Sequence, residues 1–249
     1  MSDINGQRAV VLGSTGGVGR SITATLLEAG ASVLGIARDR DKLHALKEAF
    51  PEMDVIAADV THEDTVESIV SDNDIDILVL ALGATPHMAP VQAQTWTTFS
   101  RPWDVDMKAS FLFCKAALNK PLKPGSSVIL ISGGPGLGTS PLSGGLSPAK
   151  NGQLFLAEVC QGQSDKHNLG IRFAAVAPKR VMPTTALGAV AAKGYANYLG
   201  ISVEAFMEKQ THAQSASDVG PAVHSLLVDA TYRDSTKYVL TSDGLSPVL

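Results

Sequence analysis

A turn of small residues near the N-terminus has the composition and spacing of a phosphate-binding site. Gly13, Gly17 and Gly19 follow an apolar run at 9–12, and a helix-like segment begins at Arg20. The first turn of a helix carries unpaired backbone N–H groups and the positive end of the helix dipole, so it suits a phosphate. Glycines let the backbone approach such a group closely, and the pattern therefore predicts an anion-binding turn. The spacing alone is a moderate signal, and a turn that only packs the helix on the strand is the alternative.

The overall composition predicts a folded domain and disfavours several classes of partner. Of the 249 residues, 45% are hydrophobic and 18% are charged, which is enough apolar material for a sizeable core. The net charge of −4 and the lack of a long Lys/Arg run disfavour nucleic acid and anionic membrane. Segment 1–8 lacks the apolar core of a signal peptide, and no apolar run approaches the roughly 20 residues that span a bilayer. Cys114 and Cys160 lie in apolar surroundings and predict buried thiols, so we expect a cytoplasmic protein.

Short apolar runs alternate with longer helix-like segments almost to the C-terminus. The predicted strands are 9–12, 31–37, 54–58, 75–82, 127–132, 170–177 and 237–241. The predicted helices are 20–29, 41–50, one that starts near 61, 92–118 with a break near Pro102, 148–161 and 217–230. This alternation predicts a doubly wound parallel sheet, with right-handed crossovers that place helices on both faces. We therefore predict a single α/β domain over residues 1–249, a Rossmann-type fold with seven parallel strands.

Two irregular segments, 133–147 and 178–202, interrupt the alternation. Each follows a strand late in the chain, so both are expected at the carboxyl edge of the sheet, where open α/β folds bind ligands. The second segment is rich in Ala, Gly and Val, which favours an apolar, uncharged small-molecule substrate. The pattern predicts one cleft that two loops cover.

Taken together, these features resemble the short-chain dehydrogenase/reductase family, and the resemblance covers essentially the whole chain. It is carried by Gly13-x-x-x-Gly17-Val18-Gly19, Asp59-Val60, Lys150, Ala177-Pro178 and Ser242-Asp243-Gly244. In that family the glycines cradle the cofactor pyrophosphate, and an acid after the third strand contacts the adenine amine. The resemblance implies the same roles here, although Asp59 alone also suits a charge at a helix N-terminus.

The resemblance implies a nicotinamide cofactor site along the carboxyl ends of the strands. Its expected residues are Gly13, Ser14, Thr15, Gly17, Val18, Gly19, Arg38, Asp59, Val60, Gly83, Lys150, Pro178 and Val181. An acid at the end of the second strand would bind the ribose 2′-hydroxyl of NAD, whereas here Arg38 follows Ala37 and its guanidinium can pair with a 2′-phosphate. NADP(H) is therefore favoured over NAD(H). Asp39 in the same loop and the lack of a basic residue between Gly13 and Gly17 keep NAD(H) open.

The catalytic half departs from the family pattern. Family members carry a Tyr four residues before the helix Lys and a Ser thirteen residues before that Tyr, and these positions hold Leu146 and Gly133. The helix Asn of the family corresponds to Asp106, so Lys150 is the one match among four catalytic positions. Lys150 can still bind the nicotinamide ribose and can form a buried ion pair with Asp106. In the family this Lys also lowers the pKa of the Tyr, and Lys150 cannot do so here because position 146 is Leu. Ser132 is expected to point to the opposite face of the sheet from Gly133.

Other residues in the predicted loops could supply the proton. His87, after the fourth strand, is the first candidate because an imidazole gives or takes a proton near neutrality, although an exposed loop histidine is the simpler interpretation. Tyr195 and Tyr198 fit lid packing better than acid catalysis, and the hydroxyls of Thr139 and Ser143 are too weakly acidic to act unaided. The histidines and acids show no metal-ligand spacing, so no metal site is expected.

Three functional hypotheses remain open. The first is an NADP(H)-dependent oxidoreductase with a non-standard active site, which acts on a small carbonyl or enone compound and takes its proton from water or a residue such as His87. The second is a nucleotide- or ligand-binding protein without turnover. The third is a cofactor-aided isomerase, lyase or cyclase.

Assembly is expected from the resemblance. Family members commonly pair through the helices after strands four and five. Residues 111–114 and 154–160 in those helices are apolar around much of the circumference, which fits an interface between subunits as well as a core within one chain. The resemblance implies a homodimer or homotetramer.

Overall fold

The computed structural model describes residues 3–210 and 214–248. These residues form one sheet with the strands β1 (Arg8–Leu12), β2 (Ser32–Ala37), β3 (Asp54–Ala57), β4 (Ile77–Leu80), β5 (Ser127–Ile131), β6 (Arg172–Pro178), β7 (Lys237–Thr241) and β8 (Gly244–Pro247). The strand order is β3-β2-β1-β4-β5-β6-β7-β8. β1 to β7 pair in parallel, which confirms the predicted doubly wound Rossmann-type fold, and β8 pairs antiparallel with β7.

β8 is the strand that the prediction of seven strands omits. It follows a turn at Ser242 and Asp243 and begins at Gly244, whose φ of +100° favours glycine. The residues of β8 are half-buried or exposed, so the segment lacks the apolar run by which the other strands are recognised. An edge strand of this kind is identified by the strand it pairs with and not by its own sequence.

The chain changes its direction of growth across the sheet at β1, which lies between β2 and β4. β4 is buried along its whole length, and so is β1 apart from half-buried Arg8, as expected of parallel strands covered on both faces. Leu12 pairs with Leu80, so the residues that follow these strands, Gly13 and Ala81, lie side by side. Open α/β sheets bind ligands at such a point, outside the carboxyl ends of the strands.

Two layers of helices cover the sheet. The helices are α1 (Gly17–Glu28), α2 (Arg40–Ala49), α3 (Glu63–Asp72), α4 (Trp96–Pro102), α5 (Lys108–Asn119), α6 (Leu146–Lys166), α7 (Ala186–Leu199), α8 (Val203–Glu208) and α9 (Val219–Val228). α3, α5 and α6 bury apolar residues in a core on one face, and α1, α2 and α9 do so in a core on the other. Within 3–210 and 214–248, no helix is both long enough and apolar enough to cross a membrane.

The long helix predicted at 92–118 is divided by a π-helical turn at Trp103–Met107, which separates α4 from α5. The break follows Pro102, as the sequence predicts, because proline has no N–H to donate within the helix. π-helical turns are frequent at functional sites, and this one carries Asp106.

The segment 178–202 is more regular than its sequence predicts, since α7 forms most of its second half. Thr185 caps the start of α7 with its side chain, and Gly200 ends it in the left-handed conformation, with φ +66°. The Ala- and Gly-rich sequence has only a weak amphipathic period, so periodicity does not reveal the helix. The prediction of an irregular segment is therefore wrong for the residues of α7, Ala186–Leu199.

Candidate functional site

A cavity of about 590 Å³ opens at the carboxyl ends of β1, β4, β5 and β6. Its walls come from the start of α1, the segments after β4, β5 and β6, the first turns of α6 and the inner side of α7. The lining includes residues 16–19, 81–83, 131–135, 137–140, 178–182 and 185–188, together with Ser143, Leu146, Lys150 and Tyr195. Lys150, Lys179 and Arg180 line the cavity, and no Asp or Glu of the described residues does so. Lys179 and Arg180 give this wall positive charge, whereas the charge of Lys150 is balanced by Asp106, whose Oδ2 lies 3.0 Å from the ammonium.

The glycine turn at one end of the cavity is closely packed. Gly13 has φ +72°, and a Cβ on it would lie 2.4 Å from the carbonyl oxygen of Ala81. A Cβ on Gly19 would lie 2.1 Å from the carbonyl oxygen of Gly13. α1 begins here without a side-chain cap and without an acid in its first turn. Its first amides therefore lie at the cavity wall with no competing side-chain acceptor, which fits the pyrophosphate of a dinucleotide.

The two hydroxyl residues of this turn are placed differently. Ser14 is fully buried, and its Oγ lies against Gly35 of β2 with no hydrogen-bond partner in the described part of the chain. Its side chain therefore faces the sheet, so a contact between Ser14 and a cofactor can involve only the backbone. Thr15 is half-buried, and Val18, also half-buried, lines the cavity.

The charged residues after β2 and β3 lie close together at the rim of the sheet. Asp39 caps α2, because its Oδ1 accepts from the Lys42 backbone N–H at 3.1 Å, and this bond lowers the pKa of Asp39. Its other oxygen lies 3.2 Å from Lys42 Nζ, so both oxygens of the carboxylate interact with Lys42 in the first turn of α2. Arg38 is exposed beside it and lies near enough to Asp59 to help lower the pKa of that carboxyl. The larger cause is the backbone N–H and hydroxyl of Thr61, which donate to Asp59.

The remaining predicted cofactor residues differ in exposure. Val60 is buried in the core below β3 and contributes no open surface to the cleft. Gly83, after β4, is exposed and lines the cavity, as do Pro178 and Val181 after β6. The structure therefore brings Gly83, Pro178, Val181 and Lys150 to one cavity with the glycine turn.

Lys150 and Asp106 form a buried ion pair below the cavity. Lys150 Nζ lies 3.0 Å from Asp106 Oδ2, and the side chains are 6% and 0% exposed. The same ammonium donates to the carbonyl oxygens of Leu82 at 3.1 Å and Ile131 at 3.3 Å. Asp106 Oδ1 accepts from the Ala84 N–H at 2.7 Å. The pair thus joins the ends of β4 and β5 to α6, and all three donor directions of the ammonium are engaged.

The positions of the expected Ser and Tyr carry no group that transfers a proton. Gly133 and Leu146 both line the cavity, and Leu146 is buried at the start of α6. Ser132 Oγ donates to the carbonyl oxygen of Lys150 at 2.7 Å, so this hydroxyl fastens α6 to the end of β5. The Ser132 hydroxyl is therefore committed to a structural hydrogen bond.

The candidate substitutes separate into two groups. His87 is exposed and does not line the cavity, and Tyr198 is exposed on the outer side of α7. Tyr195 lines the cavity, and its hydroxyl forms hydrogen bonds with Ser140 Oγ and, at 3.3 Å, with Ser143 Oγ. Its ring stacks on Phe206, with centroids 5.6 Å apart and planes at 11°.

The sequence presents Tyr195 and Ser143 as separate candidates and gives no signal for Ser140. The three residues converge from positions 52 and 55 apart, and no short-range pattern links them. Thr139, the other hydroxyl considered, is exposed at the cavity rim. Among residues 3–210 and 214–248, no group of three or more His, Cys, Asp and Glu is placed to hold a metal ion.

Comparison with protein families matches residues 7–195 to the family described as short chain dehydrogenase. A 3beta-hydroxysteroid dehydrogenase 2 from Eggerthella lenta is 29% identical over 161 residues, which are 61% of this chain and 59% of that protein. A 3-oxoacyl-(acyl-carrier-protein) reductase FabG from Rickettsia bellii is 26% identical over 145 residues, 55% of this chain and 60% of that protein. The chain spans about 60% of the length of these curated relatives.

Solved structures extend the likeness over nearly the whole chain. An NAD⁺-bound xylitol dehydrogenase has a TM-score of 0.82 and 20% identity, and the match covers 97% of this chain and all of that one. A levodione reductase has a TM-score of 0.78 and 20% identity, with 95% of each chain covered. At this level of identity the likeness shows the fold.

Proposed function

This chain belongs to the short chain dehydrogenase family, and we propose that it is an NADP(H)-dependent oxidoreductase with a non-standard active site. Its substrate would be a small, apolar carbonyl or enone compound. The main support for this proposal is that one cavity is lined both by the uncapped start of α1 and by the residues at the ends of β4, β5 and β6. Relatives named as dehydrogenases and reductases support redox chemistry.

The preference for NADP(H) rests on the rim beside β2. Arg38 is exposed there, and the carboxylate of Asp39 is already bound to Lys42 at the start of α2. The exposed Arg38 guanidinium can pair with a 2′-phosphate, and the Asp39 carboxylate, which would repel that phosphate, is bonded to Lys42. Both features favour the phosphorylated nucleotide. Asp59, whose Oδ1 is held by Thr61, would meet the adenine with its other oxygen.

In this proposal the residues of the chain bind and orient. Gly13, Gly17 and Gly19 would place backbone around the pyrophosphate, and Val181 would lie beside the nicotinamide, which supplies or accepts the hydride when bound. The Lys150 ammonium would reach the ribose only by exchanging one of its three present partners. We therefore propose that the chief role of the Lys150–Asp106 pair is structural, in that it joins the ends of β4 and β5 to α6 below the cavity.

Fluorescence titration with NADPH and NADH tests the cofactor preference. Arg38→Ala is expected to raise the Kd for NADPH about tenfold, since a charge-assisted bond contributes about 1.5–3 kcal/mol before solvent exposure reduces it. The Kd for NADH should not change. Arg101→Ala, the same charge change at an exposed site outside the cavity lining, is the control and should match the wild type. Tighter binding of NADH than NADPH by the wild type would contradict the preference.

A second candidate is a nucleotide-binding protein without turnover. The loss of proton-bearing groups at Gly133 and Leu146 favours it. Absorbance of NADPH in the presence of a panel of ketones and enones distinguishes the two, because binding without oxidation of NADPH would support the non-catalytic role.

We also propose assembly through α5 and α6. Phe111, Phe155 and Val159 on these helices are 50%, 64% and 43% exposed, which is typical of a surface that meets another chain. Light scattering after size exclusion should give a dimer or tetramer, and Phe155→Glu should give smaller particles. Leu199→Glu, at an exposed apolar position on α7, is the control. A monomeric wild type would contradict this assembly.

The cysteines bear on the expected cytoplasmic location. Cys114 and Cys160 are buried free thiols in α5 and α6, and such thiols are typical of a reducing compartment. This supports the proposal that the protein acts in the cytoplasm.

A further inference from the structure

The proposed hydride transfer needs an acid for the substrate oxygen, and Leu146 and Gly133 cannot provide one. We infer that the phenol of Tyr195 on α7 is this acid and that Ser140 and Ser143 pass a proton to it from solvent. The inference rests on the proposed function and names its proton donor.

Most other proton-bearing side chains in the cavity are already engaged or unsuitable. The Lys150 ammonium is directed to Asp106 and to two backbone carbonyls. Ser132 donates to the backbone of α6, and Thr185 both donates and accepts at the start of α7. The guanidinium of Arg180 holds its proton too tightly to act as an acid.

The remaining hydroxyls are not equivalent. A phenol with an ordinary pKa of about 10 is a far stronger acid than the aliphatic hydroxyl of Ser or Thr. Among the hydroxyls that line the cavity, Tyr195 carries the only phenol in the part of the chain that the structure describes. It is therefore the hydroxyl best suited to give up a proton.

Tyr195 is held from two sides. Its ring stacks on Phe206, which is buried on α8, while its hydroxyl lies between Ser140 and Ser143 of the segment after β5. These contacts fix the position of the phenol oxygen inside the cavity, next to two hydroxyls with which it can exchange a proton. Ser140 is half-buried and gives the group a route to water.

The step balances as an ordinary carbonyl reduction. The substrate carbon would receive the hydride that bound NADPH would supply, the electron pair of the C=O bond would move to oxygen, and this oxygen would take the proton of Tyr195 Oη. The phenolate then takes a proton from Ser140 or Ser143, whose oxygen recovers one from water. One hydride and one proton are added to the substrate, and Tyr195 is regenerated.

The test uses the full chain with NADPH and a panel of carbonyl compounds that includes cyclohexanone, 2-cyclohexenone and 2,3-butanedione. Tyr195→Phe keeps the stacking on Phe206 and removes only the hydroxyl. We expect kcat to fall at least about 100-fold, because general acid catalysis contributes about 10²–10⁴-fold. The Kd for NADPH should stay within about twofold of the wild type. Tyr198→Phe, an exposed tyrosine on the same helix, is the matched control and should keep the wild-type kcat.

Two further measurements show whether Tyr195 donates a proton or only closes the cavity. They are the effect of replacing Ser140 and Ser143 and the pH profile of kcat. The double variant Ser140→Ala, Ser143→Ala should lower kcat about tenfold, at the lower end of the effects of proton-transfer groups. The pH profile of kcat should differ between the wild type and Tyr195→Phe, because only the wild type carries the phenol that gives up the proton. If Tyr195 only closed the cavity, its replacement would raise KM and the Kd for NADPH and would leave the pH profile unchanged.

The outcomes separate the inference from the function on which it rests. A Tyr195→Phe variant with kcat within threefold of the wild type overturns the inference and leaves the proposed function in place, and a large loss in Lys179→Met would then identify the ammonium at the rim as the donor. NADPH binding without turnover of any panel member overturns the inference and the hydride transfer together. Lack of NADPH binding by the wild type overturns the proposed cofactor as well.

Discussion

The two ends of the cavity are built from different parts of the polypeptide. The end at Gly13 to Gly19 offers backbone amides, and its groups lie within one short turn of the chain. The end at Tyr195 offers side chains, which converge with Ser140 and Ser143 over 52 and 55 positions. A backbone site depends on the absence of side-chain atoms, whereas a side-chain site depends on long-range packing. The end at Gly13 to Gly19 can therefore be recognised from the sequence, whereas the end at Tyr195 is recognised only in the folded chain.

The buried pair of Lys150 and Asp106 lies between the two ends, and its loss should have the largest effect. Lys150→Met leaves the fully buried carboxylate of Asp106 without its cation, which should lower the free energy of unfolding by about 3–5 kcal/mol. Urea unfolding at pH 7 measures this change. The double variant Lys150→Met, Asp106→Leu removes both charges and should regain most of the loss. A loss below about 1 kcal/mol in the single variant would show that the pair does not hold the site together.

Adding one methyl group tests the backbone end. Gly19→Ala places a Cβ 2.1 Å from a backbone oxygen of Gly13, so we expect the free energy of unfolding to fall by about 1–3 kcal/mol and the Kd for NADPH to rise. The control is Gly138→Ala in the segment after β5, where a Cβ meets no atom within 4 Å. Urea unfolding and NADPH titration measure both variants. Equal behaviour of the two would refute the close packing of the turn.

Restoring the family residues tests the side-chain end. Gly133 has room for a Cβ, whose nearest neighbour would be Pro135 Cδ at 3.6 Å. Because the Lys150 ammonium is neutralised by Asp106, a Tyr at position 146 would lack the charge that lowers its pKa. We expect Gly133→Ser, Leu146→Tyr to raise kcat for ketone reduction less than about tenfold, and addition of Asp106→Asn to raise it further. A gain of about 100-fold without Asp106→Asn would show that Lys150 is free to act.

The smallest expected effect concerns Asp59 at the rim. Hydrogen bonds from Thr61 hold its pKa below the ordinary value of 3.8, so the unfolded chain binds the proton at higher pH than the folded chain. Its stabilising contribution is therefore present above about pH 4 and is lost as the pH falls through the folded pKa. Asp59→Asn should unfold at slightly lower urea than the wild type at pH 6, and this difference should shrink as the pH falls below 3.8. A difference that is constant with pH would contradict the assignment.

Much of the fold could be predicted because its signals are local. Each of the seven parallel strands is a short apolar run, and each helix on the two faces has a stop, a cap or a period that lies within it. The break at Pro102 follows from the chemistry of one residue. β8 and α7 escaped prediction, since β8 is defined by its pairing with β7 and α7 has little amphipathic period.

The residues of the candidate site also differ in whether local sequence signals reveal them. The glycine turn, Lys150 and the positions of Gly133, Leu146 and Asp106 can be read from spacing along the chain, and their roles toward a cofactor stay predictions. The chemistry of its side chain makes His87 a candidate proton donor, but the structure fits the simpler interpretation, an exposed loop histidine outside the cavity lining. The type of a residue shows what it can do, but its distance from the reacting atoms depends on the whole fold.

The sequence by itself determined the seven parallel strands and the glycine turn after β1, because each depends on residues that are neighbours along the chain. Only the tertiary structure decided that the Lys150 ammonium is engaged on three sides and that Tyr195 meets Ser140 and Ser143. These contacts join residues that lie 19 or more positions apart, and packing of the helices on the sheet brings them together. Local preference sets the backbone, and the packed core sets which side chains share a cavity.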